Sequence, residues 1–481
     1  MQRQSDNRQL LTYDLGTTRL KVALFNIRGR LIGQRAARHI EHRENNRAWQ
    51  DADQWWVDAV RLTKELIGKY PGEIAGISLS GRGGAAIFIG KDGTVIGQPW
   101  SDRRHVEQLR GLGAWSRENE PLSAYAMALL AKKQWFSANE PIRTRQLRHV
   151  LYAKDFLLFR LTSRAITDPS SGPDTQQWSA AVLDATNSAM LVPDVALPWD
   201  VAGPLSVSAS RALGIPSGTP VVVGAHDGVC ANVGAGAGFP GAYAITLGTH
   251  AVVRAVQTQL PPNAFRFYGL PPDRHVIGGN AVMAGRAADW FLDLIYGNND
   301  GNRAAHFRKM DKVAAEVPAG ADGIRFLPFL LGQVAPVARP GASALFAGLR
   351  AQHGRDAMFR AVLEGGAFAV RGIFQQIHSW CGLPAVVRLT GSGANSSLWA
   401  NILANVLNRE LEASDSAVEG RGAAIFAAVA LGLYADYDSA ATGMVPIKRR
   451  FAPTPELAQR YDELFAEWQR VADATRPLDS K

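Results

Sequence analysis

Two stretches of this chain repeat one pattern of apolar and polar positions. Residues 11–25 read LTYDLGTTRLKVALF and residues 242–256 read AYAITLGTHAVVRAV. In each, an alternating apolar run leads into Leu-Gly-Thr and a second run leads out, the pattern of a hairpin turning at glycine. Leu15, Gly16 and Thr17 match Leu247, Gly248 and Thr249 at a spacing of 232, close to half of the 481 residues. Repetition at that distance predicts two similar domains rather than a short-period solenoid. The first hairpin continues through FNIRGRLIGQ, which turns at Arg28-Gly29, and AAIFIGKDGTVIGQPW turns at Lys91-Asp92-Gly93. Helical periodicity follows in ADQWWVDAVRLTKELIGKY, AYAMALLAKKQWFS and YAKDFLLFRL, and PVVVG reads as a buried strand. The second half repeats the order loosely. Helices are expected at AGRAADWFLDLIYG and MFRAVLEGGAFAVRGIFQQI, then a strand at AVVRLT and a helix at SSLWANILANVL. The pattern predicts an α/β protein of two domains, 1–243 and 244–481, with a central cleft.

Composition narrows the class. Hydrophobic residues make up 47% and charged residues 20%, which suits a globular protein with ample core. The net charge of +9 is spread along the chain, with only short pairs such as Arg103-Arg104 and Arg449-Arg450. That distribution favours a solvated surface that draws in anionic ligands over a nucleic-acid binder. Cys230 and Cys381 are the only cysteines, too few for a disulfide framework and suited to a reducing cytosol. The polar start MQRQSDNRQ has no apolar signal core, and no run approaches the roughly 18 apolar residues of a membrane span. The expected location is the cytoplasm.

The candidate chemistry sits in VVVGAHDGVCANVGAGA, residues 221–237, where His226 and Asp227 interrupt small and apolar residues. Burying a carboxylate is costly unless something pairs with it or uses it. The two Gly-Thr turns offer backbone N–H groups and hydroxyls that can grip a polyphosphate, involving Gly16, Thr17 and Thr18 in one half and Gly248 and Thr249 in the other. Asp14 precedes the first Leu-Gly-Thr, while Thr246 holds that place in the second. A hard carboxylate beside a phosphate clamp suits Mg²⁺. Asp227 would then accept the proton of a hydroxyl attacking a γ-phosphoryl group. The structural alternatives are ordinary β-turns for the hairpins and a helix N-cap for Asp227.

Other glycine patterns point elsewhere. Gly236, Gly238 and Gly241 spell G-x-G-x-x-G but precede a strand, so a dinucleotide reading does not fit them. AVVRLTGSGANSSLWANIL has the order strand, turn, helix, and Gly391, Gly393 and Asn395 would let a nucleotide approach the helix start. Glu410 follows at the distance of a ribose-binding acid, which keeps an NAD-dependent dehydrogenase as an alternative of another class. No P-loop is present, and neither the histidines nor the two cysteines have zinc-ligand spacing.

Together these residues resemble the FGGY carbohydrate kinases, over nearly everything from Leu11 to about Tyr461. The resemblance rests on YDLGTT, TDPSS at 167–171, PSGTPVVVGAHDG, ITLGT, LTGSGAN and GRGAAIFAAVALG. LLAKKQWFSANEP resembles the family's first signature, with Lys132, Trp135, Asn139 and Pro141 in place, and ALFAGLRAQHGRDAMFRAVLE approaches the second. The resemblance implies a duplicated actin-like, ribonuclease-H-like fold and an ATP- and Mg²⁺-dependent kinase. It implies Asp227 as base, Asp14 near the metal, phosphate contacts from the two turns and an adenosine site around Gly391, Gly393 and Asn395. Substrate contacts are implied for Arg82, Trp100, His226 and Asp227. Leu129, Ala357 and the pair Gln333-Val334 depart from the family pattern. The Met-His of xylulokinase-type members is replaced by Gly83-Gly84, Arg82 falls where glycerol kinases place a substrate arginine, and PWSDRR and RFYGLPPDRHVIGG resemble gluconokinase-type members. A xylulokinase-like pentulose kinase is the leading expectation, with a gluconate or polyol kinase next and an inactive sugar-binding regulator as an alternative of another class. A small sugar or polyol and a second copy of the chain are the expected partners.

Overall fold

The computed structural model describes residues 7–119, 122, 124–171, 188, 193–248, 250–262, 264, 266–281, 284–297, 302–415 and 417–479. It separates into two compact units. The first comprises Met1–Gly238, Tyr268–Asp273 and Ala417–Val445; the second comprises Phe239–Phe267, Arg274–Ser416 and Pro446–Lys481. The units are therefore not contiguous halves, since two later segments group with the first.

The first unit is built on a six-stranded sheet. From one edge the order is Leu31–Arg38, Arg19–Asn26, Arg8–Leu15, Glu73–Gly81, Pro220–His226 and Val201–Pro204. The first three strands form an antiparallel meander, turning at Gly29 with φ of 72°. Arg8–Leu15, Glu73–Gly81 and Pro220–His226 run parallel, and Val201–Pro204 closes the sheet antiparallel. The helix Ala52–Lys69 covers the meander through Trp55, Ala59, Leu62 and Leu66, a stripe at helical spacing. Asp51 caps it by accepting the N–H of Asp53, and Asp53 and Lys69 complement its dipole ends. A three-stranded sheet, Val95–Gly97, Ile87–Gly90 and Leu147–Leu151, carries a satellite core around Phe88, Trp100 and Phe136.

The second unit repeats this plan strand for strand. Arg274–Ala281, Ala251–Gln257 and Ala242–Leu247 form an antiparallel meander. Val386–Thr390 and Leu411–Ala413 continue parallel from Ala242–Leu247, and Arg449–Phe451 closes antiparallel. The echo in the sequence is thus two copies of one sheet. The core of this unit gathers Ile245, Val253, Phe291, Phe359, Trp399 and Trp468. Each such side chain contributes about 1.5–3 kcal/mol when fully buried.

Helix Val418–Ala430 explains why a late segment belongs with the first unit. It packs against helix Asp227–Gly234 and strand Glu73–Gly81. The two helices touch backbone to backbone: a Cβ on Gly234 would lie 1.9 Å from Val418 O, and one on Gly422 would lie 2.0 Å from Cys230 O. Only glycine permits that approach. Among the described residues, no helix is long and apolar enough to cross a membrane.

Candidate active site

Three neighbouring strand ends of the first unit bring charged side chains together. Asp14 lies opposite Lys21 in the antiparallel hairpin and opposite Ser80 in the parallel pair. Ser80 Oγ donates to Asp14 Oδ1 at 2.9 Å, and Lys21 Nζ sits 3.0 Å from Asp14 Oδ2 and 3.3 Å from Glu419 Oε2. Burial pushes the Asp14 carboxyl up to about 6 against the pull of Lys21, with the charges of Glu419 and Asp227 adding to the rise. Burial also works against the charge of Lys21, but Asp14 and Glu419 outweigh it and hold the ammonium well above its usual range.

The adjoining turn is pinned through its carbonyls. Gly16 N–H donates to Arg19 O at 3.1 Å. Gln50 Nε2 and Arg82 Nη1 both donate to Thr17 O, at 3.2 and 3.1 Å. His39 Nε2 meets Gly16 O at 3.1 Å, and burial together with the nearby Arg82 lowers this imidazole to about 4, so it is a neutral donor. Thr17 and Thr18 are left exposed.

Asp227 follows directly from strand Pro220–His226 and is the first residue of helix Asp227–Gly234. It is not the cap. His226 holds that position, and its Nδ1 accepts the Gly228 N–H at 3.0 Å. Because that nitrogen is an acceptor, its 3.1 Å approach to Asp227 Oδ1 is no imidazolium ion pair. The capping role that would account for Asp227 structurally is therefore filled by its neighbour. The Asp227 side chain is 33% exposed, close enough to Asp14 and Arg82 to act on both electrostatically. Arg82 also donates to Gln50 Oε1 at 2.9 Å and lies over Trp55, and burial lowers its affinity for the proton. Tyr268 completes the group. Its ring lies 4.4 Å from that of His226, and a Cβ on Gly228 would lie 2.5 Å from it.

Trp100 stands apart from that cluster. It is buried, with its Nε1 3.4 Å from His105 Nδ1 and its ring under the guanidinium of Arg104 at 4.7 Å. It lines a cavity of about 480 Å³ with Arg47, Trp49, Arg104 and Trp135. Lys132 links it to the Arg82 loop, donating to Trp100 O at 2.8 Å and Gly84 O at 3.2 Å; burial, then the charge of Arg82, lowers this lysine to about 8.

In the second unit Gly248 N–H donates to His250 O at 3.1 Å, closing a turn one residue shorter than that of Gly16, whose N–H reaches Arg19 O. Thr249 lies outside the described residues. Thr246 occupies the place of Asp14, with Thr390 Oγ1 at 3.1 Å and Arg254 Nη1 donating at 3.0 Å. Gly391 adopts φ of 90°, and a Cβ there would lie 2.4 Å from Leu247 O. Gly248, Gly393 and Asn395 share one cavity of about 500 Å³ with Phe307, Arg308 and Trp399. Ser396 caps the following helix Ser397–Leu407 and donates to Asp311 Oδ1 at 2.6 Å. Glu410 is exposed beside Arg450, outside the lining of that cavity.

Comparison with known proteins decides the family. The profile of the FGGY family of carbohydrate kinases, N-terminal domain, matches residues 9–234, and that of its C-terminal domain matches residues 243–431. The chain belongs to the FGGY family of carbohydrate kinases. Xylulose kinase of Escherichia coli (strain K12) is 28% identical over 420 residues, spanning 83% of this chain and 85% of its own. Gluconokinase of Bacillus licheniformis is 25% identical, spanning 98% and 99%. Among solved structures, xylulose kinase from Rhodospirillum rubrum matches with a TM-score of 0.84 at 25% identity, covering 98% of this chain and 100% of its own. Plasmodium falciparum glycerol kinase with ADP matches with 0.83 at 18% identity, covering 98% of each, a likeness of fold. As an FGGY kinase the chain has the duplicated actin-like ATPase fold, here seen as the paired sheets.

Within this FGGY kinase, the family departures fall on varied ground. Leu129 and Ala357 are buried, whereas Val334 is 55% exposed in a loop where Gln333 and Arg339 exchange backbone hydrogen bonds. Sequence reasoning did not single out Lys21, Ser80, Gln50 or His39, all of which hold Asp14 or its turn. Lys21 was recoverable, because hairpin register places it opposite Asp14. Tyr268 lay within a noted stretch, but nothing in the sequence pairs it with His226.

Proposed function

We propose that this FGGY kinase transfers the γ-phosphoryl group of ATP, with Mg²⁺, to a hydroxyl of a ketopentose, converting D-xylulose to D-xylulose 5-phosphate. The observation that carries this reading is the Asp227 carboxylate: partly exposed, not used as a cap, and electrostatically joined to Asp14 and Arg82. Asp227 takes the proton of the substrate hydroxyl as that oxygen bonds to the γ-phosphorus, and the bond from phosphorus to the ADP oxygen breaks. Arg82, a desolvated cation, orients the acceptor and offsets charge beside Asp227; His226 forms a wall of the sugar site, and Trp100, apart from that cluster, is tied to the Arg82 loop through Lys132. The exposed Thr17 and Thr18 of the first turn, with Gly16, contact phosphates, and so do Gly248 and Thr249 of the second.

Asp14 fits a hard divalent cation. Among the described residues no group of three His, Cys, Asp or Glu could enclose a metal. A single buried carboxylate suits Mg²⁺, which is commonly held by one or two carboxylates with phosphate oxygens and water. When bound, the ion neutralises phosphate charge. Asp14, kept in place by Ser80 and Lys21, is the residue that would hold it. The adenosine moiety is assigned to the cavity of Gly248, Gly393 and Asn395, with Gly391 shaping its turn.

Gluconate is a second reading. The Arg82 guanidinium beside Asp227 can pair with a substrate carboxylate, and the gluconokinase relative matches nearly end to end. Measuring ADP release with D-xylulose, other ketopentoses, glycerol, erythritol and gluconate separates the readings. ADP release highest with D-xylulose is expected. Release only with gluconate would transfer the assignment to it, and sugar binding without ADP release would replace both with a regulator.

A further inference from the structure

A fully buried ionic group lies behind Asp227. Lys154, Asp155 and Asp168 are each 0% exposed, in the first unit. Lys154 Nζ stands 2.6 Å from Asp155 Oδ1 and 3.0 Å from Asp168 Oδ1. The other oxygen of Asp168 accepts the Ser170 N–H at 2.8 Å and the Ser170 hydroxyl. That hydroxyl in turn accepts the His226 N–H at 3.0 Å. The next residue is Asp227, and the N–H after it, on Gly228, is taken by the His226 ring. Side chains therefore hold the N–H groups of both residues that neighbour Asp227. On its other side the Lys154 backbone packs on Gly81, where a Cβ would lie 2.9 Å from Lys154 Cβ, one residue before Arg82.

Stability does not account for this arrangement. Withdrawing one cation and two carboxylates from water carries a penalty of several kcal/mol per ion, and an apolar trio of similar volume would serve a core as well or better. What the ionic group supplies is direction. Asp168, fixed by Lys154, can accept the Ser170 proton in only one orientation, which turns the hydroxyl lone pairs toward His226.

We propose that Ser170, oriented by Asp168 and Lys154, is a positioning residue that fixes the His226 peptide and through it the Asp227 carboxylate. The inference rests on Asp227 being the base. Ser170→Ala removes the acceptor for His226 N–H and frees the strand end, and a misplacement of the base by about 1 Å lowers turnover by roughly 10- to 100-fold. The expected result is a kcat reduced by that factor, with KM for sugar and ATP within about 2-fold of wild type. Assays run well below the melting temperature, with the folded fraction measured by circular dichroism, separate this from simple unfolding. Ser170→Thr keeps the hydroxyl and should recover most of kcat. Ser170→Cys, near-isosteric but a poor acceptor, should behave like Ser170→Ala and serves if that variant does not fold.

The double variant Ser170→Ala/Asp227→Asn should be no slower than Asp227→Asn alone, since the positioned group is already gone. Wild-type kcat in folded Ser170→Ala or Ser170→Cys, or losses that add in the double variant, would overturn the proposal. Turnover retained by Asp227→Asn would instead remove the base assignment, a different outcome.

Discussion

The strand ends of the two units are built alike and charged differently. In the first, Asp14 meets Ser80 across the parallel pair and Lys21 across the hairpin. In the second, Thr246 meets Thr390 across the same parallel pair and is reached by Arg254. Gly16 and Gly248 each open the hairpin turn, and the second turn is one residue shorter. One scaffold therefore presents a carboxylate with a cation in one copy and neutral hydroxyls with a cation in the other. The difference teaches a division of labour. A carboxylate can hold a metal or take a proton, while an end without one leaves its cation and N–H groups free of competition for phosphate. The outermost parallel strand of each sheet sharpens the contrast: His226 leads into Asp227 in the first unit, and Ala413 leads into Ser414 in the second.

The largest effect is expected at the end of that outermost parallel strand. Asp227→Asn should lower kcat for sugar phosphorylation by roughly 10³–10⁴-fold, the upper range for loss of a general base, while ATP still binds. Ser414→Ala, the matching position of the second unit, should leave kcat within about 2-fold, as expected for a group with no part in proton transfer. Steady-state ADP release reads both. Equal losses at the two positions would erase the division drawn above.

Next in size is a packing effect confined to the first unit. Gly422→Ala would drive a methyl against Cys230 O, a backbone atom 2.0 Å away that cannot yield. Destabilisation of about 3 kcal/mol or more is expected, measured by urea unfolding. Gly68, inside helix Ala52–Lys69 with nothing within 4 Å, is the control. Its replacement by alanine should stabilise by about 0.5–1 kcal/mol.

Gly422 also shows where the sequence stops being legible. Both hairpins, most helices and the pairing of the two halves follow from alternation and turn residues, because those signals are local. Asp14 and Asp227 are legible because carboxylates among apolar neighbours are expensive, and Gly391 because a turn between strand and helix calls for one. The return of Val418–Ala430 to the first unit is not legible. It depends on Gly422 meeting Cys230 across some 190 positions, and no periodicity encodes which partner a glycine admits. The same holds for Tyr268 against His226. The cap was misleading for a local reason: aspartate is a common N-cap, but here the preceding imidazole takes the Gly228 N–H.

A third effect comes from the buried Asp14. Its carboxyl is raised from 3.8 to about 6. Metal binding needs the charged form, so kcat/KM for ATP should fall about tenfold per pH unit below 6. Stability runs the other way. Between 3.8 and about 6 the folded chain holds more protons on this group than the unfolded chain does. The contribution of Asp14 to folding is thus fully present below 3.8 and lost as pH rises through about 6. Asp14→Asn removes that slope, so its melting temperature should gain on wild type between pH 4 and 7. A constant difference across that range would show that Asp14 is not titrating there.

The smallest expected effect tests the contrast most directly, by giving the second unit the chemistry of the first. Thr246→Asp places a carboxylate beside Arg254, which can pair with it as Lys21 pairs with Asp14. The new ion pair offsets much of the burial penalty, so stability should stay within about 1–2 kcal/mol of wild type. The electrostatic change is larger than the structural one. On the proposed assignment of phosphate to the Gly248 turn, a negative charge there would repel the phosphates of ATP and offset the charge of Arg254. KM for ATP should rise about 10-fold, an energy near 1.4 kcal/mol, with KM for the sugar unchanged. Thr246→Val separates charge from hydroxyl. It removes the partner of Arg254 and Thr390 at about 1 kcal/mol of stability and should leave KM for ATP nearly as in wild type. If Thr246→Asp binds ATP as tightly as wild type does, the neutrality of that strand end has no bearing on phosphate binding, and the two halves differ in sequence without differing in task.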